Sequence, residues 1–281
     1  MTNQLPHFSL SEKILTAGIY LFGIALLNTA ISSLYPSQAL ADADSQIRAT
    51  DTSPITIEAS EFLEWDQNEG TYIAKGEAFV QQSETSIRAA HIIARYNARG
   101  ETRNINHFIA TGEVTYVEGK NTAKGDQLDY DLTASFYLLT GRNASVEGPR
   151  GKMTATKSIT YDAAEDANRV VTATGEARFK TDDGRTVFGD KLIAYIAADG
   201  TLKTIEAYEN TKVTTTNGTE ATADKLTYEA SSAFAKLDGN VEIIDKENVM
   251  RGDKARIDFD KEISRIISGP GGNRVSGTLT P

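Results

Sequence analysis

A glycine that returns at a nearly regular distance constrains this chain more than any other feature. It ends one short apolar run and begins the next, and neighbouring copies are 29 to 36 residues apart. Self-similarity at such a period is typical of repeat architectures, in which one small unit is stacked many times. The copies fall at Gly76, Gly112, Gly141, Gly175, Asn210 (where a glycine would be expected), Gly239 and Gly269, of which Gly141 and Gly269 are weaker.

The residues after each strong copy alternate between apolar and polar, which is the period of a β-strand. The second and fourth residues after the glycine are apolar, so both side chains face the same side of the strand. The residues between them are mostly charged or polar, which predicts one buried and one wet face. The inward pairs are Ala78 and Val80, Val114 and Tyr116, Ala177 and Phe179, and Val241 and Ile243.

Two further strand segments complete each unit. One begins with a small residue and often an aspartate, as at residues 125–130, 189–194, 223–228 and 252–259. The other leads into the next glycine, as at 105–110, 136–139, 170–173, 202–207 and 263–267. Even the alanine-containing runs 88–95 and 231–236 fall where the repeat requires strand. The sequence therefore predicts an all-β, repeat-built antiparallel fold, with the glycine marking a bend or bulge.

Composition excludes several classes of function. Cysteine is absent and only three histidines occur, which argues against thiol chemistry, zinc sites and histidine-dependent nucleophiles. The formal net charge of -10 argues against nucleic acid, because a phosphate backbone needs a basic partner. No catalytic, metal-ligating or nucleotide-binding motif is found, so we predict a protein that is not an enzyme and needs no cofactor.

The N-terminus has the features of a secretion signal. Lys13 precedes an apolar run at 14–27, and Ala39 and Ala41 form the small-x-small pattern of a signal-peptidase site. We expect residues 1–41 to be a signal peptide cleaved after Ala41, and the polar stretch 42–53 to be a disordered linker. The alternative is an uncleaved anchor over residues 14–34. In either case the remainder is exported, and a periplasmic location fits.

The recurring aspartates allow a catalytic interpretation as well as a structural one. Asp126, Asp190, Asp224 and Asp253 occur once per unit, so stacking would align them as a cation or acid/base site. The structural interpretation is that each accepts backbone N–H bonds at a turn, and the lysine that follows three of them favours it. Trp65 is expected to plug one end of the core, and His91 and His107 to lie on the strand surface.

A stack of strands with one apolar face must bury that face. Either a second layer closes over it as a dry core, giving a structural or adhesive repeat protein, or the face stays open for a ligand. The residues alone leave both possibilities open.

Several phrases, in this order, resemble the OstA-like family of lipopolysaccharide-transport proteins. They are residues 54–60, 63–65, 72–78 and 109–114, the recurring small-Asp-Lys-Leu, and the closing 273–281. The resemblance implies a β-jellyroll, or β-taco, over residues 54–275, followed by a C-terminal tail at 276–281. It also implies an open apolar groove that holds lipid A acyl chains.

The resemblance further implies a periplasmic bridge that passes lipopolysaccharide from an inner-membrane exporter to an outer-membrane translocon. Self-association would be head to tail, through strands near 55–58 and 263–275. An inner-membrane-anchored partner of the same pathway is the alternative. The expected groove residues are Val80, Ile92, Phe108, Val114, Leu128, Tyr130, Leu138, Phe179, Leu192, Leu226, Tyr228, Val241, Ile243 and Ile257.

Overall fold

The computed structural model describes residues 53–99, 103–149, 151–163, 169–197, 201–259, 261, 263–269, 272 and 274–279. The predicted signal peptide and all of the linker except Ser53 lie outside these ranges. The described residues form an 18-stranded sheet and one short 3-10 turn, Ala230–Ser232. Among them there is no helix of the length and apolarity that crossing a membrane requires.

The strands follow one another with short turns. They are β1 (Thr56–Glu58), β2 (Phe62–Asp66), β3 (Thr71–Gln82), β4 (Thr85–Tyr96), β5 (Ile105–Glu118), β6 (Asn121–Asp131), β7 (Phe136–Thr140), β8 (Ala144–Gly148), β9 (Gly151–Ala155), β10 (Ser158–Asp162), β11 (Arg169–Thr181), β12 (Thr186–Ile196), β13 (Leu202–Thr214), β14 (Glu220–Glu229), β15 (Phe234–Asp245), β16 (Asn248–Asp258), β17 (Ile263–Ile267) and β18 (Ser276–Thr278).

Every pairing between these strands is antiparallel, and most join neighbours in the chain. The short strands occur in consecutive pairs that share one long neighbour. β1 and β2 pair with opposite halves of β3, β7 and β8 with opposite halves of β6, and β17 and β18 with opposite halves of β16. β9 and β10 divide β11 in the same way. Each such pair is therefore one strand interrupted in the middle.

Five of the uninterrupted strands, β3, β5, β11, β13 and β15, carry a β-bulge at this same level. At the second repeat, for example, Gly112 and Glu113 have φ of 82° and 50°, and the register shifts between Thr111 and Val114. Two residues thus oppose one on the partner strand, which bends the bulged strand. The same pair of left-handed residues recurs at 76–77, 175–176, 209–210 and 239–240. The prediction that the glycine marks a bend is confirmed.

Because all strands bend at one level, the sheet folds over on itself into two layers. We call layer A the half that contains β2, β7, β10 and β17, and layer B the half that contains β1, β8, β9 and β18. Tyr116 of layer B and Tyr130 of layer A meet edge to face, with ring centroids 6.1 Å apart, so the inner faces pack together. The prediction of an all-β antiparallel jellyroll with a taco-like cross-section is confirmed.

The alternation read from the sequence determines what lies between the layers. All of the side chains predicted to face inward after the four strong glycines are buried. Two local expectations differ from the structure. Residues 230–232 form a 3-10 turn, so the run 231–236 becomes strand only from Phe234. Ser276–Thr278, assigned to the tail, forms β18 and pairs with β16, so the sheet extends beyond residue 275.

Candidate functional site

One row of inward-facing residues crosses every strand of layer A in direct register. In β2–β10 this row is almost entirely aromatic, and in β11–β17 it is almost entirely aliphatic or small. In chain order the row contains Trp65, Tyr72, Ala94, Phe108, Tyr130, Tyr137, Tyr161, Val171, Ala194, Ile205, Tyr228, Ala235, Ile257 and Ser264. We call β1–β10 the first half of the sheet and β11–β18 the second half.

Tyrosines fill the interior where the first half meets the second. Tyr137 and Tyr161 stack with centroids 4.9 Å apart, and Tyr130 meets Tyr137 edge to face at 5.6 Å. Burial raises the pKa of Tyr116 well above its ordinary value, and the Glu118 carboxylate adds to this increase. Burial likewise raises the pKa of Tyr137, with further contributions from Tyr161 and Glu118. These phenols are therefore neutral, and their rings close this part of the interior.

Polar side chains close the margin of layer B in the first half. Gln82, Thr85 and Glu118 are direct neighbours across β3, β4 and β5, and their exposures are 1%, 0% and 4%. Glu118 accepts a hydrogen bond from the hydroxyl of Tyr116 at 3.3 Å. The margin that could open between the layers is therefore sealed by packed polar groups in this half.

The second half contains an apolar cavity between the layers. Its volume is ≈ 40 Å³, about that of one or two water molecules. Layer B contributes Phe179, Val187 and Val213, and layer A contributes Ile205 and Leu226 among others. The small side chain of Ala235, in the aliphatic part of the inward row, also lines it. Aliphatic and small residues, together with Phe179, Tyr228 and Phe259, thus enclose a space here, whereas stacked tyrosines fill the interior of the first half.

A second recess, of ≈ 90 Å³, lies beside this cavity at the margin of the layers and shares Arg185, Val213 and Phe259 with it. Its other lining residues are more polar and include Thr215, Asn217, Thr219, Asp258 and Ser264. We call this recess the mouth of the cavity. It lies between the turn that joins β13 to β14 in layer B and the ends of β16 and β17 in layer A.

Two similar turns shape the layer B side of this margin. In residues 181–185 the Asp183 carboxylate accepts hydrogen bonds from the Thr181 hydroxyl and the Arg185 N–H. In residues 215–219 the Asn217 side chain accepts the equivalent bonds from Thr215 and Thr219. Each turn also closes through a bond from the N–H of its first residue to the carbonyl of its last, at 3.0 and 2.9 Å. The repeated turn holds Arg185 in place beside the mouth.

Arg185 bridges the polar mouth and the apolar cavity. Its guanidinium carbon lies 5.4 Å from the ring centroid of Phe259 on the opposite layer. Its Nε is 3.4 Å from Oδ2 of Asp183, a long contact between partly exposed groups. Across the mouth, Asp258 pairs with Lys261 at 3.2 Å. A cation that is only weakly paired therefore stands at the entrance of an apolar space.

Most residues predicted to line a groove do lie between the layers. Twelve of them are buried, at exposures of 0% to 5%. Tyr228 is partly buried against the core and lines the cavity. Leu138 was assigned to the wrong face: it pairs with Asp129 and Thr160 on the outer surface, and its neighbours Tyr137 and Leu139 point inward. The apolar face is thus not an open groove, because the opposing layer covers it.

The recurring aspartates each have a separate structural partner at the bend. Asp253 accepts a hydrogen bond from the Gly269 N–H at 2.7 Å, and Asp126 accepts one from the Arg142 N–H at 3.3 Å. Asp190 and Asp224 accept from the amide groups of Asn210 and Asn240, at 2.8 and 2.9 Å. The described residues contain no cluster of three or more acidic or histidine side chains suited to a metal ion. The predicted backbone N–H bonds are confirmed for Asp253 and Asp126, whereas Asp190 and Asp224 accept side-chain amide bonds instead.

Trp65 and the two internal histidines have the following positions. Trp65 lies at the first edge of the sheet, stacked on Tyr72 at 5.6 Å, and donates its Nε1 proton to the Tyr96 hydroxyl at 2.8 Å. It is 43% exposed, so it covers the end of the core without filling it. Both histidines are on the outer surface, and Nε2 of His107 lies 2.7 Å from Oδ1 of Asp129.

The sequence reasoning missed two parts of this site. Tyr137 and Tyr161 belong to the inward row, and the alternation around them was a usable signal for both. Arg185 and Phe259 meet only because β12 and β16 are brought together by the folding of the sheet. No local pattern identifies such a pair.

The fold and its interior define a class of β-structured protein with an apolar space between two layers. Residues 56–167 and 162–263 each match the family described as LptA/(LptD N-terminal domain) LPS transport protein. The two matches together cover most of the chain and fall on the two halves of the sheet. The chain belongs to this family of lipopolysaccharide-transport proteins.

Comparison with curated proteins gave no significant match. Among solved structures, the chain is similar to LptH, described as the LptA homologous periplasmic component of the conserved lipopolysaccharide transport device from Pseudomonas aeruginosa. The identity is 13%, the match covers 82% of this chain and 96% of that one, and the TM-score is 0.21. The family assignment therefore rests on the sequence match.

Proposed function

We propose that this protein is a non-enzymatic carrier that binds lipopolysaccharide by its acyl chains between the two layers. It would act in the periplasm and pass lipopolysaccharide from the inner-membrane exporter toward the outer-membrane translocon. The observation that carries the proposal is the inward apolar surface, which runs without interruption from one edge of the sheet to the other. An acyl chain gains about 0.8 kcal/mol for each CH₂ group removed from water, so such a surface can hold it without any chemistry.

The interior must widen for this role. Ligand pockets for small molecules have volumes of roughly 300–1,000 Å³, whereas the cavity here is ≈ 40 Å³. The structure therefore represents a closed form, and binding would separate the layers along their free margins. On the opposite side the paired bulges and the aspartate contacts keep the two layers joined at the bend. The layers could therefore pivot about this bend.

The two edges of the sheet support a bridge made of several copies. Among the described residues, β1/β2 and β17/β18 each pair on one side only. Inward-facing Leu63 and Trp65 are 52% and 43% exposed at the first edge, and Ile266 packs on the core at the last. Unpaired edges accept further strands. Head-to-tail pairing would join the apolar rows of successive copies.

The binding proposal is tested by photo-crosslinking. The chain has no cysteine, so a photoreactive group can be attached at single introduced cysteines. Purified lipopolysaccharide is expected to crosslink at one or more of Ile92, Leu128, Leu192 and Leu226. Leu138, which faces outward, is the matched control. Absence of adducts at all four inward positions, or equal adducts at Leu138, would contradict the proposal.

The assembly proposal is tested at the first edge. Sedimentation over a range of concentrations should reveal self-association of the wild-type chain. Leu63→Lys places a charge where the apolar row would continue, and it should weaken that association. Phe62→Lys, next to it on the outer face, introduces the same charge and should weaken it less.

The closed interior also favours a second candidate, a structural β-repeat protein whose layers never separate. In that case the inward positions would stay inaccessible to water and ligand, and an apolar dye would not bind to the protein. The crosslinking experiment distinguishes the two candidates directly.

A further inference from the structure

We propose that the second half of the sheet holds the bound hydrocarbon chain of an anionic amphiphile, and that Arg185 binds its anionic group at the mouth. The layers of the first half would remain closed while the ligand is bound in the second half. This inference rests on the proposed function and specifies its site and the chemistry of its head-group contact.

The first argument is the difference in interior packing. Entry into the first half must break the contacts of Tyr116, Tyr130, Tyr137 and Tyr161, and aromatic pairs stabilise beyond their buried area. It also exposes the buried Glu118, which accepts a hydrogen bond from the Tyr116 hydroxyl. Entry into the second half meets a space that already exists, lined mostly by aliphatic and small residues and by a single edge-to-face ring pair, Tyr228 and Phe259. The layers should therefore part more readily there.

The second argument is the continuity of apolar and polar surfaces. The cavity and the mouth share Arg185, Val213 and Phe259, so a chain inside the cavity would leave its polar end in the mouth. The mouth also contains hydroxyl and amide groups, from Thr215, Thr219 and Asn217, and the Asp258 carboxylate that lines it is paired with Lys261. An amphiphile with one apolar and one polar end matches this arrangement.

The third argument is the state of Arg185. Its guanidinium makes no side-chain hydrogen bond to the described residues, and its ion pair with Asp183 is long and partly exposed. The planar guanidinium can present two parallel N–H donors to a phosphate. Phe259 orients it from the opposite layer. On a chain of net charge -10, a weakly paired arginine beside an apolar space points to an anionic head group.

Two matched leucines test where the hydrocarbon lies. Leu128 and Leu226 lie in a second inward-facing row of layer A, next to the row described above. From β6 to β14 this second row contains Leu128, Leu139, Ile159, Ala173, Leu192, Ala207 and Leu226. With photoreactive groups at each, purified lipopolysaccharide should crosslink at Leu226 at least about tenfold more than at Leu128, since opening the first half breaks several aromatic contacts. Equal yields would overturn the inference while the proposed carrier function stands. No adduct at either position would overturn the inference, and the carrier function falls with it only if Ile92 and Leu192 give no adduct either.

Arg185→Gln tests the head-group contact. Charge-assisted hydrogen bonds justify an expected loss of about tenfold in affinity for phosphorylated lipopolysaccharide. Affinity for the same lipid after enzymatic dephosphorylation should not change, and Arg185→Lys should retain part of the binding.

The control is Arg178→Gln. Arg178 also lies over a phenylalanine ring, that of Phe188 at 5.6 Å, but on the outer face of the sheet. Arg178→Gln should leave the affinities for phosphorylated and for dephosphorylated lipopolysaccharide unchanged. An equal effect of Arg185→Gln and Arg178→Gln, or an equal loss for both lipids, would overturn the assignment of Arg185. Circular dichroism of each variant shows whether the sheet is intact.

An independent measurement follows the opening itself. Spin labels at Thr216 and Arg265 report the distance across the mouth, and labels at Lys120 and Thr133 report the corresponding margin of the first half. Adding lipopolysaccharide should lengthen the first distance and leave the second within its original width. Lengthening of both, or of the second alone, would contradict the inference.

Discussion

The two halves of the sheet share antiparallel pairing and bend at the same level, but their interiors differ, and three of the four interrupted strand pairs lie in the first half. The first half packs stacked tyrosines and a sealed polar margin between its layers. The second half packs aliphatic and small residues, and it leaves a cavity and a mouth. The comparison associates the enclosed space with the smaller side chains of the inward row in the second half.

The difference in packing should be visible in stability. Tyr161→Ala and Phe179→Ala each remove a fully buried ring, and each should lower the free energy of unfolding by about 3–5 kcal/mol. Tyr161 also loses its stacking on Tyr137, so its loss should be larger by about 1 kcal/mol. Urea denaturation measures both. A larger loss for Phe179→Ala would break the contrast between the halves.

Alkaline pH should act mainly on the first half. Burial raises the pKa of Tyr116 and Tyr137, so they contribute stability that is full below the ordinary tyrosine pKa of about 10. That stability is lost as pH rises toward their higher pKa in the folded state. Each unit of pKa shift corresponds to about 1.4 kcal/mol.

The measurement is denaturant unfolding between pH 8 and pH 11. Replacing both tyrosines by phenylalanine should flatten the decline in stability. Tyr195, on the outer face, also has a raised pKa, caused first by desolvation and then by Glu206. Because it is far less buried, Tyr195→Phe should flatten the decline less. An equal effect would place the sensitive groups outside the interior.

The bulges allow a third comparison, between two equivalent positions. Removing a glycine from one should lower stability, and introducing a glycine at the other should raise it. A Cβ at Gly239 would lie 2.2 Å from Oδ2 of Asp224, and the glycine has φ of 81°, so Gly239→Ala should cost about 1–2 kcal/mol or more. Glu209 has φ of 59° at the equivalent position of its bulge. Glu209→Gly should therefore stabilise by about 0.5–1 kcal/mol.

Thr204→Gly, in the extended part of the same strand β13, is the control and should destabilise by about 0.5–1 kcal/mol. Thermal unfolding of the three variants tests the signs. Destabilisation by Glu209→Gly would show that its side chain contributes more than its backbone strain costs.

The smallest expected effect separates two neighbouring hydroxyls. The Tyr137 hydroxyl has no hydrogen-bond partner among the described residues, so Tyr137→Phe should change stability by less than about 0.5 kcal/mol. Tyr116→Phe removes the bond to Glu118 and should cost about 1 kcal/mol. Parallel urea denaturation at neutral pH compares them, and equal losses would mean that both hydroxyls are bonded.

Much of the fold was predictable because its signals are local. The glycine period located the bends, and the alternation of apolar residues assigned nearly every inward side chain to the correct face. Asn210, which stands where the period calls for a glycine, has a left-handed backbone with φ of 52°. Asn210 is not the equivalent of the repeated glycine, however. The strand register places Glu209 at the position of Gly239 and Asn210 at the position of Asn240, one residue later than the sequence period suggested. Both asparagines bind the preceding aspartate, a contact across strands that no local pattern reveals.

Leu138 shows the limit of the same reasoning. Next to the interrupted strand at Gly141, a shift of one residue exchanges the two faces of β7. Hydrophobicity alone could not choose between Leu138 and Leu139, and pairing with β6 and β10 made the choice.

The sequence by itself determined an all-β repeat protein, because strand period, bends and composition are properties of neighbouring residues. The tertiary structure alone decided that the apolar faces cover each other, that tyrosines from four strands stack, and that Arg185 meets Phe259 beside a cavity. Those contacts join residues far apart in the chain, and they exist only once every bulge has folded the sheet in the same direction.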